Sequence, residues 1–341
     1  MDKIDFVLPW VDGSDGDWQA AKRMYENAAA DMPRSDLNAN ADCRYRDYGL
    51  LKYWFRAVER FAPWVGRVFF VTCGQKPEWL DVSNPKLRLV NHDEYIPGEY
   101  LPTFHSNTIE LNLHRIAELS ERFVLFNDDL FLLRPVSPDF FFKKGLPVTA
   151  CDLGIPSWLG YSNISRIAIN NCGALKQSMD VNRLVWKHIW KFVDPLSLGF
   201  VRAAKNFAAF SVNRTVIGGT FGHLAQSHLK STFDEIWRKQ PQIIDTTSRR
   251  RFRGDDCVNH WLACAWNMVS GRFCPANEKR RGRFIAVNTA NLGQICGIIR
   301  KRSFPQICLN DSNCGPDLEF CIGEISKALD ELLPEKSSFE R

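Results

Sequence analysis

Short apolar runs alternate with helical patterns through the first 130 residues of the chain. Stretches of mostly apolar residues predict strands at Ile4–Trp10, Arg67–Cys73, Leu87–Val90 and Arg122–Phe126. Apolar positions that recur at helical spacing predict helices at Trp18–Ala30, Tyr48–Phe61 and Asn107–Leu119. Because strands and helices alternate in this order, we expect an α/β fold with a mostly parallel sheet.

The pattern loosens from Lys143 to Gly222, where several prolines and glycines separate short helical pieces. We interpret residues 143–222 as a helical insertion or lid that carries acceptor specificity. Beyond it, the pattern predicts helices at Ser231–Gln240, Asp255–Ser270 and Asp317–Leu333, and strands at Arg283–Val287 and Ser303–Leu309. We expect one domain over residues 1–333 and a flexible tail over residues 334–341.

Two acidic turns follow predicted strands. Asp128 and Asp129 come directly after one strand, and the turn Asp12–Asp15 leaves the first strand. Carboxyl ends of parallel strands meet at one edge of a sheet, where ligands bind, so both clusters are expected at one crevice. Carboxylates beside a core are costly unless a cation meets them, which favours a metal-nucleotide site. Ordinary turns, in which Asp is common, are the alternative for both clusters.

Composition narrows the class of protein. Apolar residues make up 45% and charged residues 24% of the 341 residues, as in soluble globular proteins. No apolar run approaches the ~20 residues of a membrane-spanning helix, and the first residues lack a signal-peptide pattern, so we expect a cytoplasmic protein.

The eleven cysteines include no CxxC pair, so their spacing indicates neither a zinc site nor a disulfide framework. The net charge of +5 suits anionic substrates or an anionic membrane surface without requiring nucleic acid.

Four groups of motifs occur in a fixed order. They lie in Ile4–Asp15, in Arg44–Asp129, in His223–Leu262 and in Ile307–Asp311. Together they resemble the Stealth family, which includes bacterial capsular and exopolysaccharide phosphotransferases and the precursor of the animal lysosomal-enzyme N-acetylglucosamine-1-phosphotransferase. The chain departs from the family in lacking prolines between His223 and Lys230 and in having Ser312 after Asp311.

The resemblance implies a catalytic domain with a Rossmann-like sheet similar to nucleotide-sugar transferases of the GT-A type. It implies transfer of a sugar 1-phosphate from a UDP-sugar, usually an amino sugar, to a glycan or lipid-linked glycan hydroxyl, with release of UMP. Mg²⁺ or Mn²⁺ is the implied cofactor, since hard cations bind carboxylates and bridge phosphates. Peripheral association with membrane-bound polysaccharide machinery follows from the logic of such a pathway.

The resemblance also assigns candidate roles. Asp128, Asp129 and Asp311 are the candidate metal ligands, and His223, Arg253 and Asp12 are the candidate catalytic residues. His223 would be the general base, because imidazole titrates near neutral pH, and Arg253 would hold phosphate oxygens. Candidate substrate-binding residues are Trp10, Gly13, Ser14, Asp15, Arg44, Ser106, Asn107, Glu110 and Asn310.

Several alternatives stay open. His228 competes with His223 as the base, and a lone histidine is often structural. Ser106 and Asn107 equally suit the start of a helix, while Arg249–Arg251 suits a solvated face. The alternative functions are a metal-dependent glycosyltransferase that releases UDP and a non-catalytic carbohydrate-binding protein.

Overall fold

A computed structural model describes residues 3–28, 40–150, 163–213, 221–311 and 317–341. Its strands are β1 (Ile4–Pro9), β2 (Val68–Thr72), β3 (Leu87–Asn91), β4 (Arg122–Leu125), β5 (Leu130–Leu132), β6 (Phe142–Lys143), β7 (Leu146–Ala150), β8 (Gln226–Leu229), β9 (Cys274–Ala276), β10 (Gly282–Ala286) and β11 (Gln306–Asn310). Its helices are α1 (Gly16–Ala28), α2 (Leu51–Phe61), α3 (Ser106–Leu111), α4 (Asn163–Ser178), α5 (Val181–Lys187), α6 (Ile189–Val193), α7 (Pro195–Leu198), α8 (Phe200–Asn213), α9 (Lys230–Lys239), α10 (Pro241–Arg249), α11 (Trp261–Val269), α12 (Glu278–Arg281), α13 (Thr289–Lys301) and α14 (Leu318–Leu332).

The central sheet has five strands in the order β3-β2-β1-β4-β8. The first four are parallel, and β8 runs antiparallel to β4. Side chains alternate across β1, so Phe6 and Leu8 enter one hydrophobic core and Val7 enters a second. Helix α2 packs in the first core, and α9 and α11 pack in the second. The predicted α/β architecture with a mostly parallel sheet is confirmed.

A second sheet has the strand order β10-β11-β5. Strand β5 follows Asp129 at once and runs antiparallel to β11, with Cys308 opposite Leu130. The backbone N–H of Leu309 donates to the carbonyl oxygen of Asp129 over 2.9 Å. This register brings the end of β11, and therefore Asn310 and Asp311, beside Asp128.

Two predicted helices are shorter than expected. The helix expected over Asn107–Leu119 ends at Leu111, and a 3₁₀ turn at Leu113–Arg115 follows it. The reason is local, because the buried Asn112 side chain donates to the carbonyl oxygen of Thr108 over 2.8 Å. The helix expected over Asp255–Ser270 begins at Trp261. There the backbone N–H of Trp261, the first helical residue, donates to the side chain of Asn259 over 3.2 Å.

The described part of the insertion begins with β6 and β7 and continues through α4 to α8. Residues 151–162 and 214–220 lie outside the described residues. Strand β7 pairs with β9 in a third, small sheet. The Asn171 side chain donates to Asn259 over 2.9 Å, and Lys191 donates to the carbonyl oxygens of Gly271 and Phe273. These contacts join the insertion to the rest of the chain.

The last residues are packed in this structure, whereas the sequence predicts a flexible tail over residues 334–341. Phe339 is buried against Phe55, with ring centroids 5.2 Å apart. Glu340 forms a two-point ion pair with Arg56, both contacts measuring 2.8 Å. The buried ring and the ion-paired carboxylate hold this segment in place. The polar composition of the segment does not indicate these contacts. Across the described residues, no helix is both long and apolar enough to cross a membrane.

Candidate active site

A cavity of about 380 Å³ lies where several strand ends meet. Trp10 follows β1, Asp128 and Asp129 follow β4, and Asp311 follows Asn310, the last residue of β11. The other predicted residues that line the cavity are Arg44, Ser106, Glu110, His223 and Arg253. Ten residues predicted from separate parts of the chain are therefore brought together, and Asp128 and Asp311 lie on the same side of the fold.

The carboxyl groups of Asp128 and Asp129 carry raised pKa values. Burial raises the pKa of Asp128 to about 7, helped by the negative charges of Asp129 and Asp47. Burial likewise raises the pKa of Asp129 to about 6. The Oδ2 atom of Asp129 accepts from the Cys308 thiol over 3.3 Å, whereas its buried Oδ1 atom has no hydrogen-bond partner. Adjacent carboxylates with an unpartnered oxygen are the donor set that a hard divalent cation needs, so these residues fit Mg²⁺ or Mn²⁺.

Asp47 belongs to the same acidic group, although our sequence analysis did not single it out. Surrounding protein atoms displace water from its carboxyl and so raise its pKa, and the negative charge of Asp12 raises this pKa further. Asp47 in turn raises the pKa of Asp128. It lies in a loop before α2 rather than at a strand end, so strand-end reasoning overlooked it. The signal available was its place in the motif Arg44–Asp47, which begins the second motif group, Arg44–Asp129.

Cationic side chains face the acidic group. The Nη1 atom of Arg46 lies 3.5 Å from Oδ2 of the buried Asp311. Arg253 donates from Nη2 to the Ser106 hydroxyl over 2.9 Å. Its backbone is held by Asn40, which accepts from the Arg253 N–H and donates to its carbonyl oxygen. The guanidinium of Arg253 is thus oriented before any ligand arrives.

His223 lies between aromatic rings at the cavity. Its ring centroid is 5.2 Å from that of Trp261 and 5.2 Å from that of Phe284. Burial, together with the charges of His260, Arg253 and Arg44, lowers the pKa of His223 to about 4. The imidazole is therefore neutral near pH 7, which is the form a general base requires.

Glu110 connects the cavity to a buried group of histidines. Burial raises its pKa to about 7, while Arg253 and the Ser106 hydroxyl oppose that shift. His260 lies 4.0 Å from Glu110, and its Nδ1 is 3.2 Å from Nε2 of His228. Cys264 joins them, so His228, His260 and Cys264 form a buried cluster with potential metal ligands. Cysteine spacing did not indicate this cluster, because His228 lies in β8, His260 directly before α11 and Cys264 within α11.

The first acidic turn lines a neighbouring cavity of about 530 Å³. Asp12 accepts there from the Ser14 N–H and hydroxyl, as in an ordinary turn. Gly13 approaches Tyr45 so closely that a Cβ atom would lie 2.2 Å from its carbonyl oxygen. Asp15 accepts from the Trp18 N–H and caps α1. Asp12, Gly13 and Ser14 therefore adjoin the main cavity without lining it.

Asn107 also stands apart from the main cavity. It is buried at the start of α3, and its Nδ2 atom has no hydrogen-bond partner. Trp10 lines the cavity and packs against Phe70, with ring centroids 5.5 Å apart. The structure therefore separates the predicted substrate-binding residues into cavity-lining and supporting positions.

Comparisons with known proteins identify a family and relatives that match the whole chain. The family models for Stealth protein conserved regions 1 and 2 match residues 2–29 and 44–149. The capsular polysaccharide phosphotransferase WcwK of Streptococcus pneumoniae is 39% identical, with 100% of both chains covered. The receptor polysaccharide phosphotransferase WefC of Streptococcus oralis is also 39% identical over 100% of both chains. The exopolysaccharide phosphotransferase cps2G of Lactiplantibacillus plantarum is 32% identical and covers 99% of this chain and 96% of its own.

Solved structures of glycosyltransferases are more distantly similar. The galactosyltransferase LgtC has a TM-score of 0.39 and 13% identity, covering 98% of both chains. The glycosyltransferase GlyE of Streptococcus pneumoniae TIGR4 has a TM-score of 0.41 and 10% identity, covering 99% of this chain and 65% of its own.

The full-length relatives define the class of protein as an enzyme that catalyses phosphotransfer. The chain belongs to the Stealth family.

Proposed function

We propose that this enzyme transfers a sugar 1-phosphate from a UDP-sugar, a UDP-N-acetylhexosamine, to a glycan hydroxyl during capsule or surface polysaccharide synthesis. One observation carries the proposal: carboxylates at the strand ends, neutral His223 and oriented Arg253 line a single cavity. A diphosphate donor needs neutralised charge, and a hydroxyl acceptor needs a base. The phosphotransferase relatives support the same reaction class.

In the proposed reaction, the acceptor oxygen attacks the sugar-side phosphorus of the donor. The bond from that phosphorus to the bridging oxygen breaks, UMP leaves, and the new bond completes a phosphodiester. His223 takes the proton of the acceptor hydroxyl on a ring nitrogen. Arg253 binds phosphate oxygens, because Ser106 already orients its guanidinium and Asn40 holds its backbone.

Asp128, Asp129 and Asp311 would hold Mg²⁺ or Mn²⁺. A bound cation neutralises the diphosphate and stabilises the leaving phosphate. The unpartnered Oδ1 atom of Asp129 and the raised pKa values of Asp128 and Asp129 support this role. Asp12, in the neighbouring cavity, would add negative charge to the acidic group, because its charge acts on the Asp47 carboxyl.

The remaining cavity-lining residues would bind donor and acceptor groups. Arg44 suits phosphate oxygens, Trp10 presents a ring that can stack on a base or sugar, and Glu110, Ser106 and Asn310 suit hydroxyls. Gly13, Ser14, Asp15 and Asn107 would act by shaping the loops beside them. A cytoplasmic location and a lipid-linked acceptor also belong to this proposal.

The released nucleotide tests the reaction. Purified protein is incubated with a UDP-N-acetylhexosamine, Mg²⁺ and an acceptor glycan, and nucleotides are separated by chromatography. We expect UMP, together with a phosphodiester signal in the phosphorus spectrum of the product. UDP with a plain glycosidic product would establish the glycosyltransferase alternative. Acceptor binding without donor consumption, across a panel of UDP-sugars, would indicate a carbohydrate-binding protein.

A further inference from the structure

Large apolar side chains are exposed mainly in the insertion. Among the described residues, eleven large hydrophobic residues are exposed, and eight lie within residues 163–213. Four of them are almost fully exposed: Trp190 at 80%, Leu196 at 86%, Phe200 at 81% and Val201 at 86%. With Phe207, they form what we call the apolar tip. Concentration of such residues in one segment marks an interaction surface.

Helix α8 is apolar on its outer face as well as its inner face. Ala203, Asn206 and Phe210 face inward and are buried. Between residues 200 and 211, six of the seven exposed positions carry no charge, namely Phe200, Val201, Ala204, Phe207, Ala208 and Ser211, and the seventh is Lys205. A surface helix of a globular protein normally places charged and polar residues there. The outer face of α8 is therefore suited to a non-aqueous environment.

Packed neighbours hold the apolar tip in position. The side chain of Asn206 in α8 donates to the carbonyl oxygen of Phe192 in α6 over 2.8 Å. Phe192 and Leu198 are fully buried, whereas Trp190 and Leu196 on the same short helices are exposed. Gly199, with a φ of 82°, makes the turn into α8. The exposed residues thus project from an ordered support.

The charges within the segment that carries the apolar tip have one dominant sign. Residues 181–213 contain five basic side chains and one acidic side chain, a net charge of +4 (5 − 1). The basic residues are Arg183, Lys187, Lys191, Arg202 and Lys205. The acidic residue, Asp194, already accepts from the backbone N–H groups of Leu196 and Ser197. Aromatic and aliphatic residues beside an excess of lysine and arginine match the interface of an anionic bilayer.

We propose that the apolar tip inserts into the headgroup region of an anionic membrane and holds the enzyme on that surface. Lys187 and Lys205, both exposed, would lie near anionic headgroups. Exposed aromatic and aliphatic side chains among basic ones favour insertion into the headgroup region of an anionic bilayer. Helix α4, in the same insertion as the apolar tip, supplies Ile164 to the active-site cavity. This binding does not depend on which sugar phosphate the enzyme transfers.

Vesicle flotation tests the proposal on the full chain. Neutral phosphatidylcholine vesicles are compared with vesicles containing about one-quarter phosphatidylglycerol, a typical anionic fraction. The wild-type protein should float with the anionic vesicles and bind neutral ones roughly tenfold less. A variant with Leu196→Ser, Phe200→Ser and Val201→Ser should lose binding by roughly tenfold or more, because the buried apolar area drives insertion. Lys187→Gln with Lys205→Gln should weaken binding to anionic vesicles alone.

A matched control separates the apolar tip from general hydrophobicity. Phe320→Ser removes a side chain on α14 that is 61% exposed, the same fraction as Phe207, and should leave flotation unchanged. Circular dichroism and thermal unfolding verify that each variant is folded. Failure of the wild-type protein to float would overturn the proposal, as would equal flotation of the folded triple variant. Light scattering that shows self-association through the tip, without vesicle binding, would instead assign it as a protein interface.

Discussion

At the scale of single residues, the acidic group should limit stability when no cation is bound. Folding raises the pKa of Asp128 to about 7, so the folded protein binds its proton more tightly than the unfolded chain does. The stability that this proton contributes is present below about pH 4 and is lost as pH rises through about 7. Binding a cation requires ionised Asp128, which is the form that the fold disfavours.

Asp128→Asn should therefore stabilise the metal-free protein while abolishing transfer. We expect the free energy of unfolding to rise by roughly 2 kcal/mol near pH 8 in the presence of chelator, with a much smaller gain near pH 5. Denaturant titrations at both pH values measure this difference. Asp139→Asn, on an exposed turn, is the control and should change neither the free energy of unfolding nor the transfer activity. Lower stability of Asp128→Asn near pH 8 would contradict the electrostatic account.

His223→Ala should lower kcat by roughly 10²- to 10⁴-fold, the usual contribution of a positioned base. Because the pKa of His223 is about 4, its protonation should not limit the rate of the wild-type enzyme between about pH 5 and 8. The acid limb should instead follow Asp128 and Asp129 and move to lower pH as Mg²⁺ is raised. Initial rates across pH at two Mg²⁺ concentrations measure both effects.

The control for the base is His188→Ala, which changes a histidine on the insertion, away from the cavity-lining residues. Its kcat should stay within about twofold of wild type, since it contacts neither reacting group. If His223→Ala retained full activity and His228→Ala did not, the role of base would pass to the second histidine.

At the scale of elements, periodicity predicted most strands of the central sheet because these strands are buried on both faces. Phe69 and Phe70, for example, enter opposite cores, so β2 appears in the sequence as an unbroken apolar run. Periodicity did not predict β8, whose Ser227 and His228 are buried polar residues. It also missed the end of α3, which depends on the side chain of Asn112 and not on an apolar pattern.

Gly13→Ala should disturb the contact between the first turn and the Arg44–Asp47 motif. A Cβ atom at residue 13 would lie 2.2 Å from the carbonyl oxygen of Tyr45, so one backbone segment must move. We expect a loss of roughly 1–3 kcal/mol in unfolding free energy and a raised KM for the donor, since Arg44 lines the cavity. Gly16→Ala is the matched control, because a Cβ atom there meets nothing within 4 Å. Equal effects of the two substitutions would contradict this steric account.

At the scale of the whole molecule, the site was predictable where its residues follow strands or belong to recognisable motifs. Asp128, Asp311, His223 and Arg253 are separated along the chain, yet the sheet edges bring them to one cavity. Other partners depend on packing between distant elements. Cys308 reaches Asp129 because β11 pairs with β5, and no local pattern in either segment indicates that contact. Tertiary contacts of this kind explain why Asp47 and the buried His228–His260–Cys264 cluster were not predicted.

The final segment illustrates the same limit and provides a test of it. Phe339 is 2% exposed, and Glu340 forms the ion pair with Arg56, so the segment closes one side of the first core. Phe339→Ala should cost roughly 3 kcal/mol of unfolding free energy, because it removes a buried aromatic ring. Glu340→Ala should cost a similar amount by leaving the Arg56 guanidinium buried without its carboxylate. Glu335→Ala, on an exposed residue of the same segment, should be neutral in the same denaturant titrations. If all three substitutions were neutral, the segment would contribute nothing to the fold, and the original expectation of a flexible tail would stand.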